Sequence, residues 1–195
     1  MPFAQANLAM TKREFINAGQ PGGMFLENFP RELIAADNVI GATTLITASR
    51  LAVYPGDTIT KVSVCTGGTA GGTGTRSYFV LYSDITIPAL LAQTPDTPIV
   101  TPAANTDISG TFATAFVVPA QTFSLWVGYL FAGGTVPTLV GRVTNLNATA
   151  AAALNTLTGV TNGISVTATG SGTATAPATM ASITQPAVQP YFLVQ

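Results

Sequence analysis

The chain has 195 residues, of which 47% are apolar and only 8% charged, with a formal net charge of −1. That length suits one well-buried domain with an appendage and is short for two, while the charge content lies far below the roughly 25% of ordinary soluble domains. Lacking clustered Lys and Arg, the sequence excludes nucleic acid and anionic membranes as partners held by charge.

Residues 1–43 differ in kind from the rest. Lys12, Arg13, Glu14, Glu27, Arg31, Glu32 and Asp37 crowd this end, whereas Arg142 is the one charged residue after Asp107. The opening "MPFAQANLAMTKREF" lacks the basic start and apolar centre of a secretory signal, so synthesis is expected in a cytosol. Phe3, Phe15, Phe25 and Phe29 stand among the charges, with "GQPGG" and "FPREL" as breakers. No 3.6-residue apolar stripe is sustained, although "MTKREFINA" could turn once or twice as helix. The segment reads as an extended arm that packs on a neighbour or along its own domain, and four Phe argue against flexible disorder.

From residue 44 onward the pattern is β. "TLITASRLAV" leads to a turn at "YPGD", where Pro fixes φ and Gly supplies the positive φ a tight turn needs. "TITKVSV" then alternates, with Ile59, Val62 and Val64 on one face and an irregularity that marks a bulge. It ends at Cys65, the single cysteine; this excludes an internal disulfide and favours a small buried apolar role over a reactive thiol. "SYFVLYS" is apolar on both faces, as in a central strand of a sandwich. "PALLAQT" is short, and the proline-rich "PDTPIVTP" reads as a crossing loop or edge. "ISGTFATAFVV" and "TFSLWVGYLFA" are the longest runs. In the second, Phe123, Leu125, Val127, Tyr129 and Phe131 share one face and Trp126 lies on the other. "TVPTLVGRVT", "GISVTAT" and "PYFLVQ" complete eight or nine strands, the count of an all-β sandwich or barrel. One short helix is expected in "ATAAAALNTL" at 148–157. Spans crossing a membrane are not expected, because Gly, Pro and Thr break every long uncharged run.

The sequence offers little chemistry. It holds no His, which removes imidazole metal sites and Ser-His or Cys-His pairs. Asp57, Asp84, Asp96 and Asp107 each fall in a turn or loop, without the dense spacing of a calcium loop. No enzyme, no metal and no cofactor is therefore expected. The glycine run "CTGGTAGGTGTR" fails as a phosphate cradle: Thr73 occupies the lysine position of a P-loop, Ser77 the last glycine of a dinucleotide turn, and a strand follows instead of a helix. It reads as a hairpin-like connection of about ten residues, with Arg76 at its end able to reach a neighbour. The tyrosines and Trp126 could form a sugar platform, but aromatics in strands are more often core. "NAT" at 147–149 matches a glycosylation acceptor, a frequent chance match.

The succession "RLAVYPGDTITKVSVCTGGTAGGTGTRSYFVLYS", "ALLAQTPD" and "TFSLWVGYLFAGGTVPTLVG" resembles a β-sandwich domain of tailed-bacteriophage virion proteins, of the actinobacteriophage minor tail or capsid accessory type. The resemblance covers residues 45–141, and "FPREL" is similar to the short entry preceding such domains. It implies a non-enzymatic virion structural role. The expected architecture is a jelly-roll-like antiparallel β-sandwich over 44–195 with an N-terminal arm, residues 142–186 being a Thr/Ala-rich insertion or loops. Made in the host cytoplasm, the protein would reside in the virion as a capsid decoration or accessory subunit. Its expected partners are major capsid or tail proteins and copies of itself, a trimer for example, because closed oligomers cover charge-poor surfaces. Phe3, Phe15, Phe25, Phe29 and Arg76 are the candidate subunit contacts. The alternative is a minor tail protein that binds a host receptor or a surface glycan.

Overall fold

A computed structural model describes residues 26–34, 36–39, 44–97, 102–143, 165–170, 173–184 and 188–195. The described chain is an antiparallel β-sandwich of jelly-roll character. The first strands are β1 (Leu26–Glu27), β2 (Ala36–Val39), β3 (Leu45–Ala52), β4 (Thr58–Cys65), β5 (Gly74–Ser83), β6 (Leu90–Gln93) and β7 (Asp107–Val117). They continue with β8 (Ser124–Gly133), β9 (Thr138–Val143), β10 (Ser165–Thr169), β11 (Ala181–Thr184), β12 (Val188–Pro190) and β13 (Phe192–Val194). A 3-10 turn spans Arg31–Leu33.

One sheet has the order β1-β13-β4-β7 and the other β11-β10-β3-β8-β5-β6, while a small sheet, β12-β9-β2, joins them along one side. The chain crosses between the two large sheets at β3 to β4, β4 to β5, β6 to β7 and β7 to β8. The glycine-rich stretch is therefore a sheet-to-sheet crossing, not the hairpin its length allowed. The strands it joins have their partners elsewhere: β4 pairs with β7 and β13, and β5 with β8 and β6.

The core follows from period-2 alternation on strands buried on both sides. Between the sheets lie Leu51, Ile59, Val62, Val64, Phe79, Leu81, Leu125, Val127, Tyr129, Phe131 and Phe192. The opposite face of the six-stranded sheet buries a second cluster, with Ile46, Tyr78, Val80, Tyr82, Trp126, Leu130 and Val166 under Ala176 and Met180. This face is roofed by residues 173–180, which bond to the start of β6 and to β5: Leu90 N donates to Ala178 O at 2.8 Å, Met180 N to Pro88 O at 3.0 Å and Tyr82 Oη to Pro177 O at 2.8 Å. Part of the Thr/Ala-rich stretch thus closes the core, with β10 and β11 extending the sheet. The expected helix at 148–157 lies outside the described residues.

Local details follow the residue types. The β3–β4 turn places Gly56 at φ 87° and closes with Asp57 N donating to Tyr54 O at 3.0 Å. A register shift between Ile59 and Lys61 is the bulge that the broken alternation predicts. Phe123 departs from expectation. It precedes β8, in a turn whose carbonyl accepts Val53 N at 3.1 Å, and its ring is exposed. Alternation orients side chains only once the ladder has begun, one residue later.

The described part of the expected arm packs along its own domain. β1 pairs with β13 and β2 with β9, so 26–39 contribute strands to the sandwich. Phe29 is buried, edge-to-face with Tyr191 (centroids 5.5 Å apart), and the Arg142 guanidinium lies 4.7 Å from its ring centroid. Pro190, lacking an N–H, sits on the edge strand of the small sheet. Its carbonyl accepts Asn28 Nδ2 at 2.7 Å and Ser49 Oγ at 3.0 Å, tying the two ends of the described chain to β3.

The buried phenols carry a pH dependence. Burial pushes Tyr129 up to about 12, opposed by its hydrogen bond with Ser77 Oγ at 3.1 Å. Burial, then the bond to Glu27, pushes Tyr191 up to about 12; burial raises Tyr82 as well. A phenol whose folded pKa exceeds its unfolded value of 10.0 binds the proton more tightly when folded. Its stabilisation is complete below the unfolded pKa and is lost as pH rises toward the folded one, about 2–3 kcal/mol for the deeply buried Tyr129 and less for the others. The urea midpoint should therefore be flat near neutrality and fall above pH 10, and Tyr129→Phe should reduce that fall.

Candidate interaction surface

Asp57, Asp84 and Asp96 are occupied in holding the fold. Asp57 Oδ2 accepts Tyr54 N at 2.8 Å in its turn. Asp84 accepts Arg50 Nη2 at 2.7 Å and the Ser124 hydroxyl, while Arg50 lies 5.2 Å from the Trp126 ring centroid. Asp96 accepts Arg76 Nη1 at 2.7 Å and Ser77 N at 3.0 Å. Among the described residues no group of three or more His, Cys, Asp or Glu could hold a metal ion.

The glycine crossing spends its donors on its own chain. Gly67 N donates to Thr138 O at 2.8 Å, Gly68 N to Asp37 Oδ2 at 2.7 Å, Gly71 N to Pro102 O at 2.9 Å and Gly72 N to Thr135 O at 2.8 Å. A Cβ on Gly72 would stand 2.9 Å from the Thr135 backbone nitrogen. Close backbone approach is why small residues are needed here. The approached object is the 134–138 segment and β2, and no N–H of this set is left to cradle an anion.

An open recess of about 460 Å³ lies on the outer face of the four-stranded sheet, lined by Arg31, Lys61, Ser63, Cys65, Asp107 and Tyr191 among others. Burial, then nearby Asp107, pushes the half-buried Cys65 thiol up. The thiolate is the nucleophile, so this cysteine is poorly suited to covalent chemistry.

Of the sequence-predicted contacts, Phe29 is inside its own chain and Arg76 is paired with Asp96. Phe29 is covered by Tyr191 and Arg142, whereas the ion pair holds Arg76 beside the 94–97 segment with 37% of its side chain exposed. Phe3, Phe15 and Phe25 lie outside the described residues. Trp126, Tyr78, Tyr82 and Tyr129 are core, which removes them as a sugar platform.

The surface feature that sequence reasoning missed is at one end of the sandwich. β3 ends opposite the start of β8 (Ala52 against Ser124), β5 ends there too (Ser83 against Leu125), and β4 starts opposite the end of β7 (Thr58 against Val117). The three turns at this end display Tyr54, Ile85, Ile87, Val117 and Phe123, each between 50% and 64% exposed. Leu33 and Leu91 are the other large exposed apolar residues described. Hydrogen bonds hold the turns: Gly56 N to Val118 O at 2.9 Å, Val118 N to Asp57 O at 2.8 Å and Ser83 N to Ala89 O at 2.9 Å. Isoleucines inside the turn-forming stretch "SDITIPA" were the available signal, since a loop gives an apolar side chain no core to enter.

No protein-family model matches the chain, and no curated protein is significantly similar to it.

Proposed function

We propose that the protein is a non-enzymatic structural subunit of a bacteriophage particle, a capsid decoration or accessory protein that works by docking. The observation that carries this reading is the distribution of chemistry. Asp37, Asp57, Asp84 and Asp96 all brace turns or strands, while exposed apolar side chains gather at one rigid end. A surface poor in charge loses little hydration when covered, so it favours stable association over reaction. The resemblance of residues 45–141 to tailed-phage sandwich domains supplies the setting. Its partners would be major capsid or tail proteins and further copies of the chain, in a closed oligomer.

Counting copies on purified particles by gel densitometry or particle imaging tests this. Capsid decoration predicts hundreds of copies and particles that lose heat or pressure resistance without them. A chain found free of virions would overturn the proposal.

A second reading, a tail module for a host receptor or glycan, is favoured by the exposed rings of Tyr54 and Phe123. Their neighbours Ile85, Ile87 and Val117 offer sugar hydroxyls no side-chain hydrogen bonds, which weighs against it. That reading predicts glycan binding abolished by Tyr54→Ala; decoration predicts no glycan binding.

A further inference from the structure

We infer that the apolar end formed by Tyr54, Ile85, Ile87, Val117 and Phe123 is a self-association surface, and that its occupant is the same end of a second copy of this chain.

Charge is the first argument. The turns 53–57, 84–89 and 117–123 contain two charged residues, Asp57 and Asp84. The first is turned back to Tyr54 N and the second is bound to Arg50 and Ser124. A strongly charged partner would find nothing to pair with here. A second copy brings few like charges to the contact, since Asp84 is paired with Arg50, and a net charge of −1 adds little repulsion from the rest of the molecule.

Area is the second. The five side chains expose on the order of 500 Å² together, against about 800 Å² per partner in a standard protein–protein contact. Exposed Pro55, Pro119 and Ala120 in the same turns extend the patch toward that size. The aromatics Tyr54 and Phe123 are residue types that anchor interface centres.

Preorganisation is the third. Each of the three turns is closed by backbone hydrogen bonds, including Val53 N to Phe123 O at 3.1 Å, so association orders little that is not already ordered. A patch that pairs with itself does so about a two-fold axis.

Sedimentation velocity on the full chain, from sub-micromolar to tens of micromolar, tests the inference without reference to any particle, so it stands or falls separately from the virion reading. The expected result is reversible self-association, weakened about 30-fold or more by Phe123→Asp or Ile87→Asp, the effect of a charge at an interface centre. Both positions are exposed, so the circular dichroism and melting temperature of the variants should match the parent. Leu33→Asp, on the 3-10 turn outside this end, should leave association intact. A wild-type chain monomeric throughout, association that survives both end variants, or equal loss in Leu33→Asp would each overturn it.

Discussion

Gly128→Val should yield no folded protein, and Gly128→Ala a folded one weakened by about 1–3 kcal/mol, the range for overpacking. Gly128 lies at the middle of β8, with β3 on one side and β5 on the other. A Cβ there would stand 2.9 Å from Ile46 Cγ2 and 3.1 Å from both the Ala48 Cβ and Val80 Cγ2. None can swing aside, because the Ala48 methyl is fixed to its backbone and Ile and Val are stiff at χ1. Replacing Gly by Ala also stiffens the unfolded chain, a gain of about 0.4–1 kcal/mol, which the clash outweighs. Trp126, the only tryptophan and wholly buried two residues away, reports the transition through its fluorescence. A Gly128→Val chain melting with the parent would refute this account of β8.

Phe29→Ala should cost about 3–4 kcal/mol, the usual loss for emptying a buried aromatic site. The ring packs beside the β9–β12 pair and the residue that links β12 to β13. Tyr191 meets it edge-on, and Arg142 covers it while donating Nε to Gln189 Oε1 at 2.7 Å. Tyr191 in turn donates to Glu27 Oε1 at 2.7 Å. Removing the ring leaves these polar groups around a void. Phe29→Leu keeps most of the volume and should lose less than half as much. Urea unfolding of the three proteins checks the order, and hydrogen exchange at Asn28 and Phe192 should accelerate first in the alanine variant. The two amides read the same junction, because Phe192 N donates to Asn28 Oδ1 at 2.9 Å.

Strand content was legible where side chains alternate within one ladder. Leu125, Val127, Tyr129 and Phe131 face the inter-sheet core and Trp126 and Leu130 the other side, as their spacing requires. The Gly56 turn and the bulge after Ile59 were equally readable, each being a local backbone demand. Sheet membership was not. Eight residues between Cys65 and Gly74 can close a hairpin or step across a sandwich, and local sequence does not distinguish them. The pins that decide it, Asp37 and Thr138, come from strands distant in sequence. The burial of Phe29 was hidden for a similar reason: its cover, Tyr191 and Arg142, is remote along the chain. The apolar end escaped because it is assembled from three separate turns, each carrying one or two apolar residues too few to stand out.

The position of β13 has a consequence for how the protein is made. Residues 192–194, the last strand described, are not an edge but lie between β1 and β4. A ribosome adding about 5–20 residues per second therefore exposes β4 for many seconds before its neighbour exists. Nascent chains must wait with one side of the β4 ladder unpaired, the state most prone to misassociation. Slower translation prolongs that vulnerability, whereas grafting the closing strand ahead of β4 by circular permutation would shorten it.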